Sequence, residues 1–286
     1  CPKISFRGLL RNVYAGRGTI IHAHRNNEIL FALLLRLLGA RFRLFFTRHS
    51  DTLPAGFTIW LMKKADQVIS LNPGMAESLP VSNIMIPHGV DTDIFTTGEK
   101  TVVQGIKQKW LISVVGRIRP SKGQLAAMKA IAPLLSVNSD WGLMLIGKVD
   151  DNGYAAEIRG AAIKNGVEDQ IHFIPETSEI VRYYRASSVV IIPSVSEGFS
   201  LVCLEAMACG LITVATETVG IHKSVIEHGR NGFLFPVNDD AALNRILDDV
   251  ISGKTLPDPG EIRKTIVEKW SADNNVRELL KAYNNS

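Results

Sequence analysis

Cysteine is scarce in this 286-residue chain, three in all, which excludes a disulfide framework. Cys203 and Cys209 stand six apart on one expected helix, on different faces and roughly 9 Å apart along its axis, so they cannot bridge. A reducing cytosol is the expected setting. Long apolar runs are missing too. The greasiest stretch, Ile29 to Leu38, is broken by Arg36 and falls well short of a bilayer span. No signal-peptide pattern is visible. No Gly-x-Ser-x-Gly or Asp-x-Asp stands where hydrolysis or metal-dependent transfer would need it, and the histidines lack tight ligand spacing and paired acids. Low-complexity tracts and short repeats are absent. Acid is nearly absent from the first fifty residues: Glu28 alone faces Lys3, Arg7, Arg11, Arg17, Arg25, Arg36, Arg41, Arg43 and Arg48. That surplus of eight leaves the remaining residues at −4 within a total of +4. A basic first part suits an anionic acceptor or the anionic cytoplasmic leaflet, or else a solvated surface without a partner. No recognition module for nucleic acid accompanies it.

What is present is a regular alternation of short apolar runs and helical periods, the pattern of parallel sheets covered by helices on both faces. Strands are expected at 19–23, 42–47, 67–71 and 83–86, with helices near 27–38, 56–65 and 73–79 between them. Residues 96–109 are polar and aperiodic and read as a linker. Further strands are expected at 111–115, 142–146, 170–174, 189–192, 212–215 and 232–235, and closing helices near 261–269 and 272–284. The reading divides the chain into a first lobe over 1–98, a linker over 99–110, a second lobe over 111–256 and C-terminal helices over 257–286. Doubly wound lobes bind ligands at the carboxyl ends of their strands.

One segment says most. The run Pro193-Ser194-Val195-Ser196-Glu197-Gly198-Phe199-Ser200-Leu201-Val202-Cys203-Leu204-Glu205-Ala206-Met207-Ala208-Cys209-Gly210 follows a buried strand and crosses from a loop into a helix. A helix start carries unpaired N–H groups and partial positive charge, so it can hold a phosphate. Glu197 in the loop and Glu205 one and a half turns into the helix could bind hydroxyls on either side of a diphosphate. That is a sugar-nucleotide site in outline. The helix bearing Cys203, Met207 and Cys209 reads as core, not as a redox or metal box.

These residues resemble the Glu-x7-Glu motif of retaining GT-B glycosyltransferases, and the flanking sequence is similar to glycosyltransferase family 4. Three other segments agree in order: Ile86-Pro87-His88-Gly89-Val90-Asp91, Val115-Gly116-Arg117 through Ser121-Lys122-Gly123, and Ile226-Glu227-His228-Gly229-Arg230-Asn231-Gly232. The match runs from about residue 20 to the C-terminus. His88 stands where the family has Asn, and Val219-Gly220-Ile221-His222-Lys223 replaces its Gly-Gly…Pro-Glu, departures that bear on donor detail and not on fold. The chain begins Cys1-Pro2, and no Gly-rich strand-turn-helix precedes the first strands, so the first lobe is expected to be incomplete.

The resemblance implies two Rossmann-like lobes facing a crevice, with the last helix crossing back to the first, acceptor-binding lobe. It implies retention of configuration, no divalent metal and no cofactor beyond the nucleotide sugar. Residue by residue, it puts Arg117, Lys122, Ser200 and Leu201 on the donor diphosphate and Glu205 on the ribose. Glu197, Gly198 and Phe199 would meet the donor sugar, Glu197 sharing the catalytic role with His49, and Ile174 with Pro175 would meet the base. His49 would act beside the reacting carbon, and His24 on the acceptor side, whereas His22 is read as packed. The expected reaction moves a hexose, from GDP-mannose first and a UDP-sugar second, to a glycan or glycolipid hydroxyl in lipopolysaccharide or surface-polysaccharide synthesis. Its expected place is cytoplasmic, at the inner membrane's cytoplasmic face. Two alternatives stay open: a nucleotide-sugar-binding protein without turnover, and a UDP-sugar 2-epimerase.

Overall fold

The computed structural model describes residues 5–15, 18–254 and 256–285. Cys1-Pro2, and Lys3 and Arg17 of the basic run, lie outside them. The chain divides into two compact units, Cys1–His88 with Asn275–Ser286, and Gly89–Asn274.

The first unit runs α1 (Phe6–Ala15), β1 (Ile20–Ala23), α2 (Asn26–Leu37), β2 (Arg43–Thr47), α3 (Gly56–Met62), β3 (Gln67–Ser70), α4 (Pro73–Ser78) and β4 (Ile84–Met85). Its four strands pair in parallel in the order β1-β2-β3-β4. Leu44, Phe45, Phe46 and Thr47 are all buried, the continuous run that a sheet covered on both faces demands. Phe45, Ile69 and Ile86 form a core that Leu279, Ala282 and Tyr283 of the C-terminal helix close. Helix α1 answers no expectation from the sequence. It buries Val13 against Leu35 and Ala40, a tertiary contact that its short, Arg-broken pattern does not announce.

Three of the nine basic residues work inside this unit. Arg36 pairs with Asp66 and donates to the Phe42 carbonyl (3.0 Å). Arg43 donates to the Tyr283 carbonyl, and Arg48, 9% exposed, to that of Thr52. Arg7, Arg11, Arg25 and Arg41 are exposed. Among the described residues no helix is long and apolar enough to cross a membrane.

The second unit runs β5 (Trp110–Val115), α5 (Gln124–Leu135), β6 (Trp141–Ile146), α6 (Asn152–Lys164), β7 (Ile171–Ile174), α7 (Ile180–Ala186), β8 (Val189–Ile192), α8 (Leu201–Ala208), β9 (Ile212–Thr216), α9 (His222–Val225), β10 (Phe233–Phe235), α10 (Asp240–Ile251) and α11 (Pro259–Lys269). The last helix, α12 (Ala272–Asn285), starts here and belongs to the first unit from Asn275 on. Residues 99–110 fall within this unit, where Val103 is buried with Leu111, Met144, Ile146 and Ala186.

All six strands are parallel, in the order β10-β9-β8-β5-β6-β7. The chain steps outward from β5 to β6 and β7, returns to place β8 on the other side of β5, and steps outward again. The winding therefore reverses between β5 and β8. That is the place where doubly wound sheets bind ligands.

Candidate active site

The loops that leave β5 and β8 are locked together by a glycine. Gly123 takes φ 71°, and a Cβ there would come within 2.0 Å of the Pro193 carbonyl oxygen. Val195 N–H donates to the Ser121 carbonyl at 3.0 Å, tightening the same seam. A 3-10 turn, Pro120–Lys122, precedes Gly123, and α5 follows it.

This seam brings Lys122 to Glu197: Nζ to Oε1 is 3.0 Å, with the side chains 20% and 8% exposed. The Ser194 hydroxyl donates to the same carboxylate oxygen. Lys122 thus neutralises a carboxylate that would otherwise be a buried, uncompensated charge. The residues expected on diphosphate and on sugar are here ion-paired with each other. Arg117 leaves the end of β5 more openly, 55% exposed, with Nη1 3.3 Å from Asp150 Oδ2. Its carbonyl accepts from Gln124 Nε2 (3.0 Å).

Ser200 is fully buried where α8 begins, and its hydroxyl makes no hydrogen bond among the described residues. Leu201 opens the helix and is 45% exposed. Gly198 and Phe199 fill the loop between, and Gly220 packs against Glu197 and Phe199. Behind this loop Thr216 donates to the Ser194 carbonyl (2.8 Å). The Thr216 carbonyl accepts from His222 Nδ1 at 2.7 Å, which fixes the proton of that imidazole on Nδ1. His222, from the segment that departs from the family pattern, is fully buried, and burial lowers its pKa.

Glu205 points one oxygen at Tyr184, whose hydroxyl donates at 2.8 Å. Burial raises the Glu205 pKa, opposed by that hydrogen bond. Burial and the Glu205 charge push the fully buried Tyr184 phenol well above its ordinary value. Ile174 and Pro175 lie at the carboxyl end of β7, where the Ile174 carbonyl accepts from Gly147 N–H at 2.9 Å. Diphosphate, sugar, ribose and base candidates therefore share the second unit, ranged along one edge of its sheet and the start of α8. Ser194, Tyr184 and His222 were missed as supports. Their residue types are common, and only the folded chain shows what each hydroxyl or imidazole reaches.

In the first unit β1 and β2 are parallel neighbours, so His24 and His49 leave the same edge of the sheet. His24 Nδ1 and His49 Nε2 are 2.9 Å apart. Glu28 fixes the strand exit by accepting from the backbone N–H of His24 (2.6 Å) and Arg25 (3.2 Å). His22 is half-buried and held at both nitrogens, by the Tyr283 hydroxyl and by Thr47 Oγ1 (2.7 Å).

A family model described as glycosyl transferases group 1 matches residues 98–269. The chain belongs to that family. This group 1 glycosyltransferase is 30% identical over 265 residues to the lipopolysaccharide core biosynthesis mannosyltransferase LpcC of Rhizobium leguminosarum bv. viciae, covering 89% of this chain and 75% of that one. It is 32% identical over 255 residues to the corresponding mannosyltransferase LpsB of Rhizobium meliloti, covering 85% and 72%. Among solved structures, Anabaena Alr3699/HepE in complex with UDP superposes with a TM-score of 0.83 at 19% identity, over 97% of this chain and 82% of that one. The glycosyltransferase has the GT-B fold of such neighbours, as the resemblance implied.

Proposed function

We propose that this glycosyltransferase moves a hexose, mannose from GDP-mannose in first place, to a hydroxyl of a lipopolysaccharide-core or surface-polysaccharide acceptor, retaining the donor's anomeric configuration. The observation that carries the reading is the Lys122–Glu197 pair, held at the point between β5 and β8 where the winding reverses, next to the start of α8. Similarity to the two Rhizobium mannosyltransferases supports mannose and a core acceptor. The UDP complex of HepE keeps a UDP-sugar in second place.

Departure of the nucleoside diphosphate builds negative charge on its phosphates. Lys122, Arg117 and the first N–H groups of α8, at Ser200 and Leu201, are fixed donors for that charge, so the reading requires no divalent metal and no cofactor. Glu197 and the backbone N–H groups of Gly198 and Phe199 orient the sugar, Glu205 accepts from the ribose diol, and Ile174 with Pro175 backs the base. His49 lies at the donor sugar beside the reacting carbon and His24 on the acceptor side. Attack comes from the face that the phosphate leaves, through an oxocarbenium-like centre, and the departing phosphate takes the acceptor's proton. The exposed arginines of the first unit suit an anionic acceptor or an anionic leaflet at the inner membrane's cytoplasmic face.

Incubation with GDP-mannose and a core oligosaccharide, read by NMR at the new anomeric carbon, tests this. A product with the donor's configuration is expected. Sugar epimerised without acceptor would identify an epimerase instead, and binding without product a non-catalytic receptor for nucleotide sugars.

A further inference from the structure

Four of the seven histidines meet in the first unit. The rings of His22 and His24 stack, with centroids 4.6 Å apart. His24 Nδ1 lies 2.9 Å from His49 Nε2, and His49 Nδ1 lies 3.4 Å from His88 Nε2, with the last two rings within 16° of parallel. Both ring nitrogens of His49 therefore face other imidazole nitrogens.

A neutral imidazole has one N–H and one bare nitrogen. When His49 donates from Nε2 to His24, its Nδ1 is bare and takes the N–H of His88. When His24 donates to Nε2 of His49, the Nδ1–H of His49 must go to His88. The three tautomers are locked in phase, and the two arrangements differ by the passage of a proton along the row.

We propose that His24, His49 and His88 form a proton relay in which His49 passes a proton between its two neighbours. In one direction Nε2 of His24 takes a proton from outside the row. The Nδ1 proton of His24 goes to Nε2 of His49, that of His49 goes to Nε2 of His88, and that of His88 is released. Each ring forms one N–H bond and breaks one. One proton enters, one leaves, and every ring ends neutral.

The surroundings favour the neutral forms of His49 and His88. His22 is the row's wall, engaged at both nitrogens by Tyr283 and Thr47. Burial, with the nearby His24 and His49, holds the His22 pKa down to about 4, and burial with the same two rings does so for His88. Burial and then His24 lower His49, while the Glu28 carboxylate at the start of α2 acts the other way. Arg25 stands exposed beside His24 and adds positive charge at that end. Among the described residues no three His, Cys, Asp or Glu side chains are placed to hold a metal ion, so the row is not a ligand cluster.

The link to turnover rests on the proposed function: a free nucleoside diphosphate ionises further than its sugar ester, so each transfer releases a proton, and the row is a path for it. The test is independent of that reading, because it needs neither donor nor acceptor. Nitrogen-15 NMR of the imidazoles at mildly alkaline pH should show His24, His49 and His88 sharing one ratio between the two tautomer arrangements. His49→Gln, whose amide bridges but cannot pass a proton on, should end that shared ratio. In His88→Asn, which alters a segment outside helix and strand, the tautomer ratio of His24 should shift although His24 lies two rings away. Unequal tautomer ratios in the unaltered chain, or a His24 indifferent to His88→Asn, would overturn the relay. An intact shared tautomer ratio in a protein that transfers no sugar would count against the proposed function alone.

Discussion

Glu205 sits where its own charge is disfavoured. Burial raises its pKa above the ordinary carboxylate value of 4.5, and the Tyr184 hydroxyl only partly offsets this. An ionised carboxylate accepts both hydroxyls of a ribose diol, whereas its acid form gives up an acceptor. Donor affinity is therefore expected to fall as pH drops through the raised pKa, approaching tenfold per pH unit below it. Glu205→Gln should bind weakly at every pH and lose this slope; a slope that persists would place the titrating group elsewhere. The spacing from Glu197 and the helical phase made Glu205 readable in the sequence. Tyr184 was not, since nothing in Tyr183-Tyr184 says which ring turns inward or that its hydroxyl reaches a carboxylate 21 residues on.

At the scale of elements, the site depends on two loops approaching closely, and Gly123 is the point of approach. Replacing Gly123 by Ala sets a Cβ against the Pro193 carbonyl as well as straining a left-handed backbone. A loss on the order of 3 kcal/mol is expected, together with weaker donor binding as Lys122 leaves Glu197. Gly166 offers the control: its φ is 64°, but a Cβ there meets nothing within 4 Å. Gly166→Ala should cost only about 1 kcal/mol and leave binding alone. Equal losses from the two, measured by denaturant unfolding, would show that backbone strain and not the loop contact matters at Gly123. The strands of both sheets were legible because buried parallel strands are continuous apolar runs. Helix α1 was not, because its one buried residue, Val13, finds its partners only in the folded unit.

At the scale of the molecule, alternation of elements predicted parallel sheets, but the order of strands was not readable from composition or period. It emerges from pairing between distant segments, and it is this order that sets the loops of Lys122 and Glu197 side by side. The histidine row is similar: His24, His49 and His88 lie 25 and 39 residues apart, and only parallel strands leaving one edge of a sheet collect them. The basic first fifty residues are less of a surface than their count suggests, since Arg36, Arg43 and Arg48 serve internal contacts.

If the proposed function is right, the carboxyl edge of the second sheet binds a nucleotide sugar. Calorimetric titration of the chain with GDP, UDP and their mannose and glucose conjugates, repeated with Glu205→Ala, tests it most directly. One nucleotide should bind, GDP before UDP, and the variant should lose this binding. Silence with every one of these ligands, or equal binding by the variant, would rule the site out.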